Sequence, residues 1–145
     1  MPIRSADARW EGSLREGKGT MRLAGGAYDG PYSFSSRFED GTGTNPEELL
    51  GAAHAGCFSM ALSGALGRAG HDPESVSTTA AVHLDKAESG FAITRIHLTT
   101  TAVVPGIDKA QFDQIAQEAK QNCPVSKALA GVDITLDATL EATLA

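Results

Sequence analysis

The sequence predicts an α+β fold, antiparallel strands around one long central helix, on three observations. Between Glu48 and Arg68 the chain is built largely from small residues and carries almost no charge. After Pro73, two β-branched stretches flank a turn at Glu88-Ser89-Gly90. The last stretch, through Val132, Ile134, Leu136, Ala138, Leu140, Ala142 and Leu144, repeats apolar residues with a strict period of two. One long helical segment set between groups of strands is the pattern of an α+β domain.

The first third reads as a meander of three strands. Ala8-Arg9-Trp10-Glu11-Gly12 and Gly19-Thr20-Met21-Arg22-Leu23 are separated by a charged turn. Gly25-Gly26 and Asp29-Gly30-Pro31 mark further turns. Tyr32 to Phe38 alternates aromatic and polar residues, which predicts a third strand, broken at Asp40-Gly41. The long helix starts next. Asn45 suits the N-cap, Pro46 the first helical position, and Glu48 the third, close to a capping box. Glu47 and Glu48 complement the positive end of the helix dipole. The helix is expected to run to Ala69, where Gly70 stops it. A helix uncharged all round is normally buried all round, so this one is expected against a sheet and against another subunit.

Ser77 to Leu84 and Phe91 to Val103 then predict a hairpin. Asp108 with Gln111 signals a second helix start, and Phe112, Ile115, Ala116 and Ala119 keep helical period to about Asn122. Pro124 opens a short helix, Val125 to Ala130, with Cys123 at or near its N-cap. The period-two tail closes the chain as a half-buried strand. No repeat, linker or low-complexity segment interrupts it, so residues 1–145 read as a single domain.

Composition narrows the function. The chain has 145 residues, 41% of them hydrophobic and 21% charged, with a net charge of −6. That balance describes a soluble globular protein and disfavours nucleic-acid and anionic-membrane partners. No uninterrupted apolar run predicts a membrane span, and the N-terminus lacks the apolar core of a signal peptide. The protein is therefore expected in the cytoplasm. Four histidines and two cysteines lack paired metal-ligand spacing, so no metal and no cofactor are expected.

The two cysteines carry the chemistry. Cys57 and Cys123 are not a C-x-x-C pair, and a chain this long does not need a disulfide to hold its core. They can be small buried hydrophobes or reactive thiols. A cysteine peroxidase needs a thiolate, a cation to hold it, and a second thiol to capture the sulfenic acid. Cys123, at a helix start, reads as the more acidic of the two. Cys57 lies mid-helix among apolar neighbours, which raises its pKa unless a cation reaches it. Arg37, at the end of the third strand, is the candidate cation, and Glu47 can orient it by a bidentate pair. His54, one turn before Cys57, can be a base, a ligand or a satisfied helix histidine. His71, His83 and His97 read as residues without partners, and Trp10 and Phe34 as core.

The segment Arg37-Phe38-Glu39, followed by residues 43–60 from Gly43-Thr44-Asn45-Pro46-Glu47 through Ala53-His54-Ala55-Gly56-Cys57-Phe58-Ser59-Met60, resembles the signature of the osmotically inducible protein C (OsmC) family. The organic hydroperoxide resistance (Ohr) proteins are its sister group. The resemblance continues through Leu84-Asp85-Lys86, Gly90-Phe91-Ala92-Ile93, Val104-Pro105-Gly106-Ile107-Asp108 and Asn122-Cys123-Pro124-Val125-Ser126. Asn45-Pro46-Glu47-Glu48-Leu49 with the Ala-His-Ala run is closer to the OsmC branch. Gly56 stands where alanine is common.

The resemblance implies an intertwined homodimer with thiol peroxidase sites at the subunit interface. Cys57 would be the peroxidatic thiol, Cys123 the resolving thiol, Arg37 the cation and Glu47 its partner. It reverses the order of acidity that the helix start favoured. It also implies an organic hydroperoxide as substrate and a dithiol reductant such as a dihydrolipoyl protein. A redox sensor, oxidised once without turnover, and a binding dimer with inert thiols remain as alternatives; peroxide consumption with a dithiol, run beside single cysteine variants, separates all three.

Overall fold

A computed structural model describes residues 1–141. The period-two positions Ala142 and Leu144 lie outside the described residues. The chain divides into two compact units, Met1–Leu49 and Leu50–Ala145.

In the first unit, β1 (Ala6–Glu11), β2 (Lys18–Leu23) and β3 (Asp29–Tyr32) form an antiparallel sheet in the order β1-β2-β3. The predicted third strand is cut short. Phe34–Phe38 is a short helix, α1, and not the end of a strand. The reason is local. Ser33 Oγ accepts from the Ser36 N–H at 3.1 Å, and the Ser33 N–H donates to Ser36 Oγ at 2.8 Å. That reciprocal serine cap outweighs the aromatic alternation. Phe34 and Phe38 then fall four residues apart on one face, ring centroids 4.9 Å apart.

The long helix α2 spans Pro46–Arg68. It starts as its sequence predicts: the Glu48 N–H donates to Asn45 Oδ1 at 2.7 Å. The Glu48 carboxylate accepts from Thr44 Oγ1 at 2.8 Å. By length and composition alone α2 could cross a membrane, with a mean hydropathy of 1.4 over an 18-residue stretch, 28% of it buried. The core helix of a soluble protein meets the same criterion, so this alone does not make α2 a membrane span. Alanines raise hydropathy without forming a visible run of large apolar residues.

In the second unit, β4 (Ser75–Ala87) and β5 (Gly90–Val103) make the predicted hairpin, with an irregularity at His83/Leu84. Helices α3 (Lys109–Asn122) and α4 (Pro124–Ala128) follow, and β6 (Asp133–Glu141) closes the sheet in the order β4-β5-β6. β6 runs parallel to β5, so the second sheet is mixed where only antiparallel strands are expected. The two helices supply the long crossover that a parallel neighbour requires.

The core of this unit is one cluster. Phe58, Leu62 and Leu66 line α2 at spacings of four, together with His54, all fully buried. They meet Ile96, Leu98 and Ala102 of β5 and Phe112, Ile115, Ala116 and Ala119 of α3. Each fully buried leucine or phenylalanine contributes roughly 1.5–3 kcal/mol. Gly51 brings α2 close to β4: a Cβ there would lie 3.3 Å from the Ala80 carbonyl oxygen. Farther along, Ser59 Oγ donates to Thr78 Oγ1 at 2.7 Å.

Candidate active site

In the second unit, α2 places Cys57 half-buried, and the end of α3 places Cys123 fully buried. Both are free thiols, and the Cys123 thiol donates to the Cys57 sulfur across 2.9 Å. Residues 66 positions apart in the chain are thereby in direct contact.

Cys123 is the N-cap residue of α4, but its side chain makes no capping bond. Pro124, at the first helical position, has no N–H to offer. The next N–H, that of Val125, reaches the Cys57 sulfur instead and favours its thiolate. The positive end of α4 was correctly placed by sequence, but it serves the sulfur of the neighbouring helix. This one bond does not win. Burial raises the Cys57 pKa above its ordinary value, and the adjacent Cys123 adds to the effect, because two sulfurs so close cannot both hold charge. A Cys57 thiolate therefore needs a further cation.

In the first unit, Arg37 sits in the last turn of α1 and Glu47 in the first turn of α2. Arg37 Nε donates to Glu47 Oε1 at 2.8 Å. The contact runs through Nε, not through the two terminal nitrogens as a bidentate fork would. Glu47 is only 7% exposed, and its Oε2 has no hydrogen-bond partner among the described residues. The pair is held by its surroundings: Ser36 Oγ donates to the Thr44 carbonyl at 2.7 Å, and Asn45 Nδ2 donates to the Ser36 carbonyl at 3.0 Å. The guanidinium also lies 5.2 Å from the Phe38 ring centroid.

Arg37 forms part of the wall of a pocket of about 190 Å³, with Trp10, Leu14, Tyr32, Ser33, Phe34 and Phe38. Trp10 and Phe34 were expected in the core. They are half-buried and line this pocket, because a three-stranded sheet of short strands has too little area to cover them.

His54 Nε2 lies 2.8 Å from Ser126 Oγ, and its Nδ1 is buried without a partner among the described residues. Burial lowers its pKa, so it is neutral. His83 and His97 do have partners. His83 Nδ1 is 3.5 Å from Arg95 Nη2, and His97 contacts Thr135 and Asp137 on the outer face of the second sheet. Among the described residues no group of three His, Cys, Asp or Glu side chains could hold a metal ion. Sequence reasoning missed the Val125 N–H and the Ser126 hydroxyl. The only available signal was the helix start at Pro124, read as serving Cys123.

Residues 39–137 match the family described as OsmC-like protein. The chain is 54% identical over 139 residues to peroxiredoxin OsmC of Escherichia coli (strain K12), covering 95% of this chain and 96% of that one. It is 37% identical over 101 residues to the organic hydroperoxide resistance protein of Xanthomonas axonopodis pv. citri (strain 306), covering 66% of this chain and 67% of that one. The crystal structure of the organic hydroperoxide resistance protein OhrB of Bacillus subtilis superposes with a TM-score of 0.67 at 25% identity, over 94% of this chain and 98% of that one. The Legionella pneumophila OsmC structure shares the fold, with a TM-score of 0.71 at 24% identity over 96% of this chain and 99% of that one. The chain belongs to the OsmC family.

Proposed function

We propose that this protein is a cysteine-based peroxidase that reduces organic hydroperoxides in the cytoplasm. The observation that carries the reading is the 2.9 Å contact between Cys57 and Cys123. The high identity to a peroxiredoxin and the likeness to organic hydroperoxide resistance proteins support it. Cys57 is the peroxidatic thiol. Its thiolate attacks the distal peroxide oxygen, the O–O bond breaks, and the alkoxide leaves and takes a proton to become an alcohol. Cys57 is left as a sulfenic acid. The Cys123 thiol then attacks that sulfur, a disulfide forms and water leaves. A dithiol reductant, a dihydrolipoyl protein by family resemblance, reopens it and is itself oxidised to a disulfide.

Arg37 supplies the missing cation and Glu47 orients it. Because their contact uses Nε, the terminal nitrogens can face a sulfur or a peroxide oxygen. The aromatic and aliphatic walls beside Arg37 suit an organic tail better than bare hydrogen peroxide.

The active form is a homodimer that acts as one functional domain per chain. Its support is the uncovered apolar surface: most of α2 is not buried within the chain, and Met60 is 79% exposed. The test is hydroperoxide consumption by purified protein with dithiothreitol or dihydrolipoamide. Turnover is expected in the wild type and none in Cys57→Ser; a single stoichiometric oxidation without turnover would identify a sensor instead.

A further inference from the structure

The reaction leaves one buried group unused. His54 is fully buried on α2, yet its neighbours on the same stripe are Phe58, Leu62 and Leu66. A leucine would fill the position without leaving a buried nitrogen unpartnered, as Nδ1 is here. With Nε2 protonated, Nδ1 keeps only an unshared lone pair, the less costly orphan, so His54 donates to Ser126 Oγ. That bond and the Cys57–Cys123 contact form two rungs: 54 and 57 on α2, 123 and 126 at the α4 start. Between them the Val125 N–H meets the Cys57 sulfur. Helix α4 has five residues, too few to hold its own position by helix formation.

We propose that His54 is a positioning residue: through Ser126 it latches α4 so that the Val125 N–H and the Cys123 sulfur both stay on Cys57. This rests on the reading of Cys57 as the peroxidatic thiol. The latch decides between two fates of the sulfenic acid. In one, the Cys123 thiol displaces its oxygen as water and the disulfide closes. In the other, a second hydroperoxide transfers an oxygen, leaves as the alcohol, and Cys57 ends as a sulfinic acid. A loosened α4 favours the second.

The test uses Ser126→Ala, His54→Leu and His54→Gln in the full chain. Mass spectrometry maps iodoacetamide alkylation of Cys57 against pH, and sulfinic acid on Cys57 under graded organic hydroperoxide. Ser126→Ala and His54→Leu should each cut Cys57 alkylation at neutral pH by about fivefold, move its midpoint upward, and raise the sulfinic fraction by about fivefold, the effect of one lost hydrogen bond. The double variant should be no worse than the more affected single one. His54→Gln, which can still donate from its amide, should stay near wild type. If His54→Leu does not fold, Ser126→Ala decides. A Ser126→Ala protein with a wild-type midpoint and sulfinic fraction overturns the latch, even if its melting temperature falls. The alkylation arm needs no peroxide, so it separates failure of the latch from failure of the peroxidase reading.

Discussion

At the scale of single residues, the chemistry turns on how a half-buried thiol becomes a thiolate. A thiol raised by burial is almost wholly protonated near neutral pH, and the Val125 N–H offsets only part of that. In the proposed site Arg37 supplies the cation, and a guanidinium beside a thiol can lower the thiol's pKa by about two units. Arg37→Ala should therefore reduce hydroperoxide turnover by about 100-fold, the thiolate fraction lost over two units, while circular dichroism shows the fold retained. Arg37→Lys should recover only part, since an ammonium cannot hold Glu47 and face the sulfur at once. Glu47→Ala should lose less than Arg37→Ala, because the cation remains and only its orientation is lost. Wild-type turnover in Arg37→Ala would remove this role. Cys57, Cys123, Arg37 and Glu47 were all named from sequence through their motif, and the structure pairs Cys57 with Cys123 and Arg37 with Glu47; their roles in the reaction are the proposal. The Val125 bond was not legible from sequence, because which sulfur a helix start faces is a matter of tertiary packing.

At the scale of elements, α2 was the most legible part of the chain. Its cap residues, small-residue body and glycine stop act locally and agree with one another. Helix α1 was misread because two periods compete over seven residues, and two serine side chains settle the contest. The parallel pairing of β6 was invisible, since an alternating pattern says which face is buried and nothing of strand direction. The buried stripe of α2 also carries an acid liability. His54 is neutral in the fold, and its folded pKa lies below the ordinary 6.5. Below about pH 6.5 the unfolded chain binds a proton that the folded chain refuses, so stability is full above that pH and declines as the pH falls toward the folded pKa. The slope approaches about 1.4 kcal/mol per pH unit for one proton. Urea unfolding between pH 7 and pH 5 should show this decline, and His54→Gln should flatten it. An unchanged slope in that variant would place the acid sensitivity elsewhere.

At the scale of the whole molecule, the proposed homodimer would tie assembly to activity through the exposed face of α2. Ala53, Gly56, Met60 and Gly64 are exposed at near-helical spacing, and nothing lies within 4 Å of a Cβ added at Gly56. Small residues let a second backbone approach closely, and Met60 offers it an apolar knob. Met60→Glu should shift sedimentation from dimer to monomer at micromolar concentration and lower peroxidase activity in step. An active monomer would separate the site from assembly.

The two thiols divide the proposed reaction between them, and mass spectrometry after one equivalent of an organic hydroperoxide reads that division. Wild type should lose two hydrogens as an intramolecular disulfide between Cys57 and Cys123. Cys123→Ser should instead carry one added oxygen on Cys57, rising to two and three with excess peroxide. Cys57→Ser should remain unmodified. Added oxygen on Cys123 in Cys57→Ser, at a rate near wild type, would contradict the assignment and exchange the roles of the two cysteines.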